Sequence, residues 1–343
     1  MANNGWVRSR CTFDERTPGT SSRQDTPDFG CEGKRLFARY VQPMVVAQRQ
    51  LGSHVTVLFG HEQGKYPDGN SVHVRGSGGS VLIDPALSIR NATPTLRVDT
   101  VLLTHTHEDH AAGLSSVVTD DVRVHRADLA ALRDVDDLMR LYGIPTAVWP
   151  SMTSFVQERF HFLGWPNAIG FDDGDTIDLG DVTVKAVHAP GHTSGHTVFL
   201  IESTNGCRVV VTGDIDLTTF GPYYGDASSS LAEFESTLSM VRDLVADHYV
   251  TFHHKGVIDG HEAFRAAVDR YIAVFARREH ALLDLLASPA TFDVLVERGI
   301  VYRPGTRPAM FGESVERRSI EQHIQRLLAD GAVATDGDQY WRR

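Results

Sequence analysis

Cysteine is scarce in this chain, and what there is forms no motif. Cys11, Cys31 and Cys207 show no CxxC spacing, so a thiolate metal site is not expected, and an odd count without a framework fits a reducing compartment. Long apolar runs are missing as well; none approaches the length that spans a bilayer. The start, Met1-Ala2-Asn3-Asn4-Gly5-Trp6-Val7-Arg8, lacks the apolar core of a secretory signal, and a cytoplasmic protein is expected. There is no basic excess either. A formal net charge of −11 argues against nucleic acid as the main partner, because phosphate contacts need basic surface. Gly-x-Ser-x-Gly does not occur, and Gly76-Ser77-Gly78-Gly79-Ser80 reads as a hairpin turn between Val72-His73-Val74 and Val81-Leu82-Ile83. No repeat is visible.

Histidine and aspartate supply the chemistry instead. In Thr104-His105-Thr106-His107-Glu108-Asp109-His110, three imidazoles and the Asp109 carboxylate fall within six residues, directly after the apolar run Val101-Leu102-Leu103. Read as an extended strand, the segment would point His105, His107 and Asp109 the same way. Such donors at a strand end suit a divalent transition metal, zinc above all, although iron and manganese accept the same ligands. Three further strand ends carry similar groups. Val182 to Val187 runs into Pro190-Gly191-His192-Thr193-Ser194-Gly195-His196, Arg208-Val209-Val210-Val211 ends in Thr212-Gly213-Asp214, and Tyr249 to Phe252 leads to His253-His254-Lys255-Gly256. A rigid sheet holds a polar site in this way.

In these motifs, over roughly Val55 to Val257, the chain resembles the metallo-β-lactamase-fold hydrolases, with the glyoxalase II branch matched in PGHTSGH. The resemblance implies an α/β fold, a four-layer αβ/βα sandwich with two zinc ions at one edge. By position it implies that His105, His107 and His192 hold one metal, that Asp109, His110 and a late histidine hold the other, and that Asp214 bridges them. The late ligand usually sits in a Pro-Gly-His-Gly turn; here, matching Val257-Ile258 to the family pattern favours His254 over His253. Asp109 and Asp214 are the expected catalytic carboxylates. Asp84 is either an outer partner of a ligand imidazole or a turn residue before Pro85. His196 is expected to be structural. Tyr223, Tyr224 and Lys255 are candidate substrate contacts.

Zinc lowers the pKa of bound water to about 7 from about 15.7, so metal-bound hydroxide could attack a carbonyl without a serine triad. The expected reaction is hydrolysis of a carbonyl ester or thioester of a small acyl substrate. A phosphodiesterase or endoribonuclease is the alternative, and would need a basic groove near the metals.

The expected organisation has three parts. Residues 1–33 are polar and read as a flexible tail. Residues 34–280 form the catalytic domain, with a helical insertion at 127–170 that either walls the site or packs on the sandwich or a second subunit. Residues 281–343 (helix, helix, then a hairpin turning at Asp336-Gly337) resemble a winged helix. From Ser288 onward eight Lys plus Arg face eight Asp plus Glu, so this region is expected to be a structural cap or a homodimer contact rather than a nucleic-acid reader.

Overall fold

The computed structural model describes residues 47–343 except 93 and 304, and these all belong to one compact unit. The tail expected over residues 1–33 lies outside the described residues, as do Cys11 and Cys31.

Short apolar runs between turn residues become the strands of two facing sheets. The first contains β1 (Gln48–Leu51), β2 (Val55–Leu58), β3 (Ser71–Arg75), β4 (Ser80–Ile83), β5 (Thr100–Leu102), β6 (Val122–His125) and β7 (Ile169–Phe171), in that order. Strands β1 to β4 form an antiparallel meander, and β4 to β7 are parallel. The second contains β8 (Thr176–Asp178), β9 (Val182–His188), β10 (Thr197–Ser203), β11 (Arg208–Val211), β12 (His248–Val250) and β13 (Val257–Asp259), in the order β13-β12-β11-β10-β9-β8. All its pairs are antiparallel except β11 with β12.

Side-chain alternation explains why these strands are apolar throughout. Val81 and Ile83 of β4 face Val209 and Val211 of β11 in the core between the sheets. Leu82, one residue out of phase, packs outward against Leu132, Leu138, Met139 and Val156, from the helices Leu129–Arg133, Val135–Tyr142 and Trp149–Phe160. Val210 packs outward against Phe234 and Leu238 of the helix Leu231–Arg242, and against Phe264 and Val268 of the helix His261–Leu285. A strand covered on both faces must be hydrophobic at every position. Helix, sheet, sheet, helix is the four-layer sandwich that was expected.

The C-terminal region adds β14 (Ala290–Thr291), β15 (Val333–Thr335) and β16 (Gln339–Arg342), a small sheet in the order β14-β16-β15, with helices Phe292–Arg298 and Gly312–Ala329. The hairpin turns at Asp336-Gly337, where Gly337 has φ +104°. The division expected at 280/281 falls inside the helix His261–Leu285. Phe264 and Tyr271 in its first half pack on the second sheet, while Leu282 near its end joins Leu295, Ile320 and Ile324 in the C-terminal core.

Candidate metal centre and its pocket

The turns after β5, β9, β11 and β12 all open at one edge of the sandwich. The segment after β5 is a series of turns rather than an extended strand, so His105, His107 and Asp109 do not point the same way. His105 and His107 join His192 and Asp214 in one group, and Asp109 joins His110 and His253 in another. In the first group His105 Nε2 lies 3.0 Å from His107 Nδ1, and His192 Nε2 lies 3.1 and 3.2 Å from those two atoms. Asp214 Oδ2 stands 3.3 Å from His192 Nε2. In the second group Asp109 Oδ2 is 3.0 Å from His253 Nε2, and Asp214 Oδ1 is 2.9 Å from His110 Nε2 and 3.9 Å from His253 Nε2. Asp214 therefore turns one oxygen to each group.

The late histidine is a correction. His253 enters the cluster; His254 is more exposed and belongs to neither group. The reason is local. His254 has a left-handed φ of +64°, which turns the chain between the two side chains.

Each imidazole has a partner on the ring nitrogen that faces away from the groups. His192 Nδ1 donates to the Tyr223 carbonyl at 2.9 Å, and His253 Nδ1 is 2.9 and 3.0 Å from the Gly64 and Asp68 carbonyls. His107 Nε2 faces Asp226 Oδ2 at 2.8 Å. His110 Nδ1 faces Asp84 Oδ2 at 3.1 Å, and Asp84 also accepts from the Thr104 amide and hydroxyl, both at 2.8 Å. His105 Nδ1 lies 3.1 Å from the Thr104 hydroxyl oxygen. Such partners fix the tautomers and leave the inner nitrogens as electron-pair donors.

The residues present fit metal ions. Four donors held at about 2.1 Å around a tetrahedral ion stand roughly 3.4 Å apart; four of the pairs here are separated by 3.0–3.3 Å, and His105 Nε2 stands 4.0 Å from Asp214 Oδ2. Protons alone satisfy the first group poorly. Burial holds His192 down to about 3 and His105 well below its usual range, so both are neutral at pH 7. Burial also opposes charge on His107, but Asp226 outweighs it and lifts that imidazole to about 9. One proton on His107 Nδ1 can bridge to one neighbouring nitrogen and not to both. His253 is likewise disfavoured by burial yet raised to about 10 by Asp216 and Asp214. Each group thus attracts positive charge, which a metal ion held by imidazoles and carboxylates would supply in place of the protons on His107 and His253.

Two residues hold the turns together. Asp128, fully buried, accepts from the Thr106 amide at 3.1 Å, the Gly195 amide at 2.8 Å and the Thr193 hydroxyl at 2.7 Å, and so ties the first histidine turn to the second. A Cβ on residue 195 would lie 2.5 Å from the Asp128 carboxyl carbon, which is why glycine is needed there. His196 accepts the Asp214 amide on Nε2 at 3.2 Å and donates from Nδ1 to the Ala189 carbonyl at 2.9 Å. It lies beside the groups and positions Asp214 by its backbone.

Both groups open into a cavity of about 430 Å³. His107, Asp109, His192, Asp214 and His253 line one end. Ile144 and Met152, from the insertion expected at 127–170, line a wall; Tyr302, Pro308, Phe311 and Val315 of the C-terminal region line another. Near the ligands the Glu108 carboxylate accepts from the hydroxyls of Tyr142 and, at 3.4 Å, Tyr66. Asp216 also lines the cavity; burial and then Asp214 push it up to about 8, and its Oδ1 has no hydrogen-bond partner among the described residues.

The family model described as "Metallo-beta-lactamase superfamily" matches residues 66–254. The chain belongs to that superfamily. It is a hydrolase of that superfamily, and its two carboxylate–imidazole groups could each hold a divalent metal ion. The chain is 26% identical to the atrochrysone carboxyl ACP thioesterase of Passalora fulva over 85% of its own length and 81% of that protein. It is 25% identical to the acyl-coenzyme A thioesterase MBLAC2 of Homo sapiens, over 70% of this chain and 94% of that one. Other curated relatives are matched over only about half of their own length. A beta-lactamase domain protein from Burkholderia ambifaria has the same fold, with a TM-score of 0.61 at 17% identity over 86% of this chain and 94% of that one.

Among the expected substrate contacts, Tyr223 lines the cavity and donates to Asp226 Oδ1 at 3.2 Å. Tyr224 does not. Its ring is buried against Phe275, and its hydroxyl pairs with His323 Nε2 at 2.9 Å, so it belongs to the core. Lys255 is exposed and outside the cavity lining, because the same turn that admits His253 directs it away. Sequence reasoning missed Asp226, Asp128, Glu108 and Asp216. Only Glu108 had a signal, its place inside the histidine motif.

Proposed function

We propose that the protein hydrolyses the thioester of a small acyl group, using two divalent ions, preferably zinc. His105, His107 and His192 would hold one ion, Asp109, His110 and His253 the other, with Asp214 between them. Bound there, such ions supply a water of lowered pKa and a Lewis acid for the carbonyl oxygen. The observation that carries this reading is the opening of both groups into one aromatic and aliphatic cavity. The names of the two thioesterase relatives favour a thioester over an oxygen ester.

The chain's own groups then have definite tasks. Asp226 orients His107, and His196 holds the Asp214 backbone. Asp109 and Asp214, which line the cavity, would be the carboxylates that take the proton of the attacking water. Ile144, Met152 and Phe311 enclose the acyl group and exclude bulk water, which strengthens every charge interaction at the reacting end. Water adds to the carbonyl carbon, the carbon–sulfur bond breaks, and the products are a carboxylic acid and a thiol. A phosphodiester substrate fits less well. Glu108, Asp216 and Asp226 line the same cavity, and the Arg318 guanidinium there is engaged with three backbone carbonyls.

The test is a matched set of substrates on the metal-loaded protein, with and without chelator: acyl thioesters of N-acetylcysteamine, glutathione and coenzyme A, an oxygen ester, a lactone and a phosphodiester. Chelator-sensitive turnover of thioesters is the expected result. Turnover of the phosphodiester alone overturns the reading.

A further inference from the structure

A second large cavity, about 790 Å³, lies in the C-terminal region and is lined by Val294, Glu297, Arg298, Tyr302, Arg303, Gly305 and Arg307. Three arginines against one glutamate give its wall a charge of +2, in a chain whose total is −11. Arg307 is held by the carbonyls of Val296 and Glu297 and faces the buried Glu316 carboxylate at 3.9 Å, which leaves Arg298 and Arg303 as the guanidiniums open to a ligand. Arg298 and Arg303 are exposed, and neither side chain has a hydrogen bond or ion pair among the described residues. Tyr302 lines this cavity and the metal pocket alike, and Pro308, next to Arg307, lines the metal pocket.

We propose that this arginine-lined cavity binds the phosphates of a coenzyme A-type thiol, an inference that rests on the thioesterase reading. The acyl group lies in the apolar pocket, the thioester at the metal groups, and the thiol arm passes Tyr302 to the arginines. Charge sorts the two cavities: carboxylates surround the reacting carbonyl, and guanidinium groups, which match phosphate geometry, stand beyond Tyr302. Several guanidiniums around a large cavity suit a nucleotide thiol with several phosphates better than the single phosphate of a carrier-protein arm.

The first measurement is calorimetric binding of free coenzyme A to the metal-free protein, against pantetheine, which lacks the phosphates. Coenzyme A should bind at least tenfold more weakly to an Arg298→Ala/Arg303→Ala variant, and pantetheine equally weakly to both proteins. On the metal-loaded enzyme the same variant should raise KM for an acyl-coenzyme A about tenfold with kcat retained, while an acyl-N-acetylcysteamine thioester is turned over as before. Equal coenzyme A affinity in the two proteins overturns the proposal. A defect confined to an acyl carrier protein substrate also overturns it and assigns the cavity to that arm. If the wild-type enzyme cleaves no N-acetylcysteamine thioester, the thioesterase reading has failed instead, whatever coenzyme A does.

Discussion

At the end of the pocket formed by the two His/Asp groups, seven side chains come from four turns, and each sits within eight residues of the strand that delivers it. At the opposite end, Tyr302, Pro308, Phe311 and Val315 belong to a region that reaches the pocket only because the helix Gly312–Ala329 docks there. Arg318 on that helix donates to the carbonyls of Tyr142, Gly143 and Gly225, fastening it to the insertion and to the loop after Asp214. Arg326 pairs with Glu235 and Glu279, and Gln322 donates to the Tyr224 carbonyl. The first end is rigid through local geometry and the second through long-range docking, so the two should fail differently. Damage to the first should abolish chemistry in a folded protein. Damage to the second should loosen the fold and the fit of the substrate while metal binding persists.

The sharpest way to break this contrast is Asp214→Ala, which removes the carboxylate shared by both groups. Activity should fall roughly 10³-fold or more, with metal content measured by mass spectrometry falling in parallel. His253→Ala should behave similarly, whereas His254→Ala should keep its metal and stay within about threefold of wild-type rate. Metal retained in full by His253→Ala would rule out His253 as a ligand.

Asp226→Asn tests the outer partners. An amide in place of the carboxylate still fills the space but no longer holds charge against His107 Nε2. Metal affinity or activity should drop about 10- to 100-fold with little change in melting temperature. A drop in stability without a change in metal affinity would move Asp226 from the chemistry to the scaffold.

For the docked end, Arg318→Ala removes three charge-assisted hydrogen bonds and should cost about 2–4 kcal/mol in denaturant unfolding. KM should rise while metal content stays at the wild-type level. Loss of metal in this variant would show that the two ends are one cooperative assembly.

A smaller effect should appear with pH. Burial, and after it Arg326, holds His323 down to about 4, and its Nε2 pairs with Tyr224. Below about pH 6.5 the unfolded chain takes up a proton that the folded chain refuses. Stability should therefore fall as pH drops, and this contribution should level off below about pH 4. The difference is on the order of 3 kcal/mol for a shift of this size. His323→Gln should show a shallower loss of stability across that window; an identical slope would show that His323 does not anchor the docked helix.

The motifs in the sequence carried the ligand end because strand-end turns are local. His105, His107, Asp109, His110, His192 and Asp214 lie in short motifs of neighbouring residues, and the resemblance those motifs carry led to the superfamily and the sandwich. Where local signals conflicted, as at His253 and His254, the backbone decided through one left-handed residue. The strand Thr197–Ser203 and the helix Leu231–Arg242 went unread, although both are central to the second sheet and its cover. The sequence by itself determined the chemistry of the donors and the turns that present them, since hydrogen bonds and φ angles over a few residues suffice for that. Only the tertiary structure decided that Asp226 would orient His107 from 119 positions away, and that a C-terminal region of balanced charge would close the pocket and line a basic cavity beside it. Those pairings depend on which faces are buried against each other, a choice made by the whole core rather than by any one segment.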